Sequence, residues 1–120
     1  MEPAERIREA RASYVEKLQS SLNHIVDVLA AMPEVKRISL FGSYASGRAD
    51  LFTDLDVLVV METDEGIPER LGRLYSLLAV PVDMDLLCYT PEEFERMKQR
   101  PFLRRILREE RILYEKGSSG

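Results

Sequence analysis

Two acidic pairs and one glycine-bounded stretch are the residues of this chain whose types and spacing could do chemistry. Asp54 and Asp56 stand at the head of an apolar run, Leu55 to Met61, and Asp83 and Asp85 at the head of a second, Val82 to Tyr89. Side chains alternate along a strand, so the members of each pair would share a face, about 7 Å apart along the backbone. Asp54 and Asp56 would line up with Leu58 and Val60, and Asp83 and Asp85 with Leu87 and Tyr89. Like charges on one face at the start of a buried strand repel each other and lose solvation, so a positive charge is expected to offset them. A divalent cation fits, and Mg²⁺ is the expected one, a hard ion commonly held by one or two carboxylates together with substrate phosphates. Upstream, Gly42 allows a tight turn and a close approach to a ligand, and Ser43 offers a hydroxyl and an N–H suited to phosphate oxygens. The stretch Gly42 to Gly47 has the glycine spacing of a P-loop, but Arg48 and Ala49 stand where that motif needs a lysine and then a hydroxyl. The dinucleotide fingerprint also fails, because Tyr44 occupies the position of its second glycine.

These residues need elements to hold them. Ile7, Ala10, Tyr14, Leu18, Leu22, Ile25 and Leu29 recur at spacings of three and four, which predicts a long helix with one buried face, ended by Pro33. Val35 to Phe41 is a short β-rich strand, and the small, polar stretch Gly42 to Asp50 reads as a loop. Leu55 to Met61, apolar on both faces beyond its acidic start, predicts a strand in the middle of a sheet. Ile67, Leu71, Leu74 and Leu78 return to helical spacing, with Pro68 in the first turn and Pro81 closing the segment. Val82 to Tyr89 is the third strand. Thr90-Pro91-Glu92-Glu93 is a capping-box pattern opening a helix with Phe94 and Met97, Pro101 interrupts it, and Phe102 to Leu107 predicts another. Ile112 to Tyr114 reads as a short last strand.

The order of elements brings the acids together. A short connection between the first two strands favours antiparallel pairing, and a helical crossover between the second and third favours parallel pairing. The end of strand one, with Gly42 and Ser43, then lies beside the starts of strands two and three. The expected fold class is α/β, a mixed central sheet of three or four strands flanked by helices.

Composition limits the alternatives. With 120 residues, 45% hydrophobic, one modest core is expected, and residues 1–116 read as a single domain followed by a flexible or vector-derived tail, 117–120. Seventeen basic against 21 acidic residues argue against a general nucleic-acid binder. One cysteine, Cys88, and one histidine, His24, exclude a disulfide framework and a Cys/His zinc site; both read as structural or surface residues. No apolar run reaches the length of a membrane span, and a cytoplasmic location is expected. Arg104, Arg105, Arg108 and Arg111 read as a solvated helix face able to meet an acidic partner or RNA.

The run Phe41-Gly42-Ser43-Tyr44-Ala45-Ser46-Gly47, a short spacer, and then Thr53-Asp54-Leu55-Asp56 resembles the polymerase β-type nucleotidyltransferase superfamily, in its minimal nucleotidyltransferase form. The resemblance covers roughly Val35 to Phe94. It implies that Gly42 and Ser43 hold the nucleotide phosphates, that Asp54 and Asp56 bind metal, and that the third carboxylate is Asp85 more than Asp83. Two positions depart from the pattern. Ser46 stands where many relatives carry a basic residue, a contact that Arg48 could replace, and Thr53 replaces a serine. The implied reaction moves a nucleoside monophosphate, AMP from ATP, to a hydroxyl, with Asp56 bridging the ions and Asp85 serving as general base.

The chain lacks room for an acceptor domain, so the resemblance implies self-association or a helical HEPN-type partner in a toxin–antitoxin pair, with this chain as antitoxin and a tyrosine of the toxin as acceptor. Two other readings stay open. One is a binding module that neutralises its partner by contact, which Ser46 favours. The other is a nucleotidyltransferase acting on a small molecule such as an aminoglycoside.

Overall fold

The computed structural model of the chain describes residues 2–117. The expected tail therefore lies outside the described residues except for Gly117, which sits in a turn with φ 73°. Helix α1 spans Pro3–Ala30, with Pro3 preset for a first helical turn and Pro33 ahead of it barring continuation. Strand β1 (Val35–Phe41) runs into a single helical turn, α2 (Gly42–Ala45), and strand β2 (Leu55–Met61) follows after a loop. Helix α3 (Ile67–Leu78) crosses to strand β3 (Met84–Tyr89), and α4 (Pro91–Met97), α5 (Pro101–Glu109) and strand β4 (Arg111–Glu115) complete the chain. The sheet is mixed, in the order β3-β2-β1-β4, with β1 antiparallel to β2 and β4, and β2 parallel to β3. The expected pairing senses are the observed ones.

Helices cover both faces. On one, Leu18, Leu22, Ile25 and Leu29 of α1 and Leu74 and Leu78 of α3 pack on Ile38, Leu40, Val57, Val59, Leu86 and Cys88. On the other, Leu103 and Ile106 of α5 close over Leu58, joined by Phe41, Leu87, Tyr89, Phe94 and Met97. Val57 to Met61 are buried on both faces of β2, as a central strand requires. Two ion pairs tie the second layer down. Arg70, 4% exposed, reaches the carbonyls of Glu65 and Cys88 and the Glu93 carboxylate at 2.6 Å, so α3, β3 and α4 meet on one guanidinium. Glu93 also closes the capping box with Thr90. Arg37 of β1 pairs with Glu110, between α5 and β4, and lies over the Phe94 ring at 5.5 Å.

Three expectations need correction. The buried face of α1 does not extend to Ile7 and Ala10: Ile7 is 53% exposed, and no residue from Glu2 to Ser13 is buried. The Tyr14 hydroxyl donates to the Thr53 carbonyl at 3.1 Å, just ahead of β2, so the helix N-terminal to Tyr14 passes beyond the sheet edge and has no strand to pack on. This overhang accounts for a long axis of 54 Å against 30 and 28 Å. The third strand begins at Met84, not Val82, because the chain is still bent at Pro81 and Val82 and enters the ladder through the Asp83 carbonyl, which accepts from Leu55 N–H at 3.0 Å. The stretch after Phe41 is not wholly loop. Its α2 turn is closed by Ser46, whose N–H reaches the Gly42 carbonyl and whose hydroxyl reaches the Ser43 carbonyl at 2.9 Å.

Candidate functional site

The sheet register sets the site. Asp56 is paired across β2 with Phe41 on one side and across the parallel ladder with Asp85 on the other. Adjacent strands lie about 4.8 Å apart, so both carboxylates and the turn after Phe41 occupy one row at one end of the sheet. Gly42 starts that turn at φ 76°, a conformation that favours glycine. A Cβ there would overlap Asp56 Oδ2 and come within 3.0 Å of its Cγ. Glycine is thus required twice, by the backbone and by the carboxylate packed against it.

Burial acts first on Asp56, followed by the charges of Asp85 and Asp54 and a hydrogen bond to Asp85; together these push its carboxyl up to about 6. All three effects disfavour the ionised form, as desolvation and neighbouring like charges do. Asp54 precedes β2 and is half-buried, and Asp85 is exposed on β3. Asp83 lies outside β3 and exposed, and its charge acts on the Tyr14 hydroxyl rather than figuring among the influences on Asp56.

The loop ahead of Asp54 is held from inside. Thr53, 1% exposed, donates its hydroxyl to Asp50 Oδ1 at 3.1 Å and accepts from Asp50 N–H at 3.0 Å. Tyr14 binds the Thr53 carbonyl from α1. Neither residue stood out in the sequence, where Tyr14 is one apolar position in a helical stripe and Thr53 a substituted serine. The Ser43 carbonyl accepts from Arg48 N–H at 3.0 Å, which folds the loop back onto α2. The Arg48 side chain, 66% exposed, turns to Asp50 at 3.2 Å. The structure thus gathers Gly42, Asp54, Asp56 and Asp85, sets Ser43 in the α2 turn beside them, and leaves Arg48 bound to an acid of its own loop.

The donor set fits a hard cation, being carboxylate oxygen throughout, and an ion would relieve the repulsion that raises Asp56. Among the described residues no three His, Cys, Asp or Glu side chains form a ready metal cage. Mg²⁺ seldom needs one, since substrate phosphates and water commonly complete its shell. Also among the described residues, no helix is long and apolar enough to cross a membrane.

A mixed sheet with a glycine turn at the end of one strand and acids heading the next two defines a class that sequence comparison identifies. The nucleotidyltransferase domain family matches residues 22–114. A chain from Methanocaldococcus jannaschii, provisionally assigned as a protein adenylyltransferase, is 33% identical over 81 residues, 67% of this chain and 79% of its own. The protein belongs to the nucleotidyltransferase domain family and is a nucleotidyltransferase. Among solved structures it is similar to a provisionally assigned minimal nucleotidyltransferase, 26% identical, with a TM-score of 0.55 over 82% of this chain and 95% of that one. It also shares its fold with a chain of the Shewanella oneidensis complex of a tri-AMPylated HEPN toxin with an MNT antitoxin, 21% identical, TM-score 0.51, over 84% of this chain and 75% of that one.

Proposed function

We propose that the protein transfers AMP from ATP to a hydroxyl on a partner protein, as the antitoxin of a cytoplasmic toxin–antitoxin pair whose toxin is of the helical HEPN type. The observation that carries this reading is the single row of Asp85, Asp56 and the Gly42 turn. The Methanocaldococcus relative and the Shewanella complex support the choice of nucleotide and partner. In this reading Gly42 and Ser43 receive the phosphates through backbone N–H groups and the Ser43 hydroxyl, and Asp54, Asp56 and Asp85 hold Mg²⁺. The ion supplies charge stabilisation at the attacking and leaving oxygens.

The remaining steps belong to the chain. Asp85, exposed and at the open edge strand of the row, meets the acceptor hydroxyl and takes its proton once in reach. The acceptor oxygen bonds to the α-phosphorus, the bond from that phosphorus to the β-bridging oxygen breaks, and pyrophosphate leaves toward the Gly42 turn. Asp54 follows Thr53, whose carbonyl accepts from Tyr14 and whose hydroxyl donates to Asp50, so the backbone that leads into it is held in place.

Incubating the protein with a HEPN-type partner, Mg²⁺ and each α-labelled triphosphate tests this. The expected result is label on the partner from ATP, lost with EDTA and in Asp56→Asn. Absence of label from every triphosphate contradicts it. A second reading, neutralisation by contact alone, is favoured by one observation: Ser46 is uncharged and Arg48 is engaged by Asp50. Neutralisation that survives Asp56→Asn without any transfer selects that reading.

A further inference from the structure

We infer that Arg105 of α5 binds the β- and γ-phosphates of the nucleotide, in a cavity that continues the row of site residues past the Gly42 turn. The inference rests on the nucleotidyl-transfer reading. Helix α5 packs on β1 and α2, and between them opens a cavity of about 210 Å³ lined by Phe41, Gly42, Phe102, Arg105, Ile106 and Glu109. The order across the sheet is therefore Asp85 on β3, Asp56 on β2, Gly42 after β1, and then Arg105 above it.

Attack and departure at phosphorus lie roughly in line. With the acceptor at Asp85, the pyrophosphate end of the nucleotide points through the Gly42 turn into this cavity. Two phosphates arriving there need positive charge. Arg48, the nearest cation in sequence to the turn, is held by Asp50, and Arg104 and Arg108 do not line the cavity. Arg105 does, and its planar fork suits phosphate oxygens. Phe41 and Ile106 form apolar walls, which reduce screening of that contact. Glu109, one turn further along α5, brings a carboxylate to the same cavity and opposes the phosphate.

Calorimetric titration with Mg²⁺-pyrophosphate and with the Mg²⁺ complex of a non-hydrolysable ATP analogue tests this. Arg105→Ala is expected to weaken both ligands about tenfold or more, and Arg105→Lys to recover part of the loss. Glu109→Gln is expected to tighten both, and Arg104→Ala to change neither, a pattern of signs that a packing role for α5 would not produce. All three positions are exposed, so the variants keep the fold. Wild-type binding that Arg105→Ala leaves unchanged overturns the assignment of Arg105 alone. Failure of the wild type to bind either ligand overturns the nucleotidyl-transfer reading and the inference with it.

Discussion

Gly42 and Asp56 constrain each other at the scale of single residues. Gly42→Ala places a methyl on the Asp56 carboxylate and strains a backbone at φ 76°. It is expected to cost about 1–3 kcal/mol in urea denaturation and to remove nucleotide binding. Stability unchanged within error would contradict the contact. Asp56 has the opposite character. Its carboxyl is disfavoured as an anion by burial and by Asp85 and Asp54, so Asp56→Asn is expected to raise Tm at pH 7 by a few degrees, on the order of 1 kcal/mol, while abolishing transfer. A fall in Tm would show the carboxylate to be stabilising instead. The acids at 54 and 56, the acidic pair at 83 and 85 and the turn at 42 were legible in the sequence because strand alternation and a glycine before a serine need no tertiary information. Tyr14, Thr53 and Arg105 were not. Each takes its place from a contact between elements distant in the chain, and Arg105 in isolation is one of several charges on a helix.

The elements were legible in proportion to how far local pattern decides them. β1 and β2 run over the expected residues, since their apolar runs are bounded by turn residues and matched by pairing on both sides. The capping box at Thr90 and Glu93 is present as read. The overhang of α1 and the late start of β3 were not readable, because periodicity shows which face of a helix is apolar and not where the sheet beneath it stops. The junction of α3, β3 and α4 carries a pH prediction. Arg70, and then the Thr90 backbone, hold the Glu93 carboxyl below its ordinary value. A carboxylate lowered in the fold contributes stability that is present above about pH 4.3, its ordinary value, and is lost as pH falls through the folded value. Glu93→Gln is expected to lower stability at pH 7 by on the order of 2 kcal/mol and to flatten the acid limb between about pH 5 and 3. An unchanged acid limb in that variant would assign the acid sensitivity elsewhere.

At the scale of the whole molecule, the row of Asp56 and Asp85 and the overhang lie at the same end. Tyr14 binds the turn ahead of β2, so α1 from Ser13 back to Pro3 extends past the edge where Asp56 and Asp85 sit. Because none of those residues is buried, a chain beginning at Ser13 is expected to keep its Tm within about 2 °C in thermal unfolding. A larger drop would mean that the overhang packs on the body. The family was readable from the order of motifs, which already favoured Asp85 over Asp83, and the pairing of β2 with β3 sets Asp85 directly beside Asp56.

The central claim is that the Gly42–Ser43 turn and the carboxylates of Asp54, Asp56 and Asp85 form one metal–nucleotide site. Electron paramagnetic resonance of Mn²⁺, titrated with and without a non-hydrolysable ATP analogue, tests it most directly. The expected result is weak Mn²⁺ binding alone, strong binding with the analogue, and loss of that gain in both Asp56→Asn and Asp85→Asn. Mn²⁺ binding that the analogue does not strengthen, or that survives both substitutions, would contradict the claim.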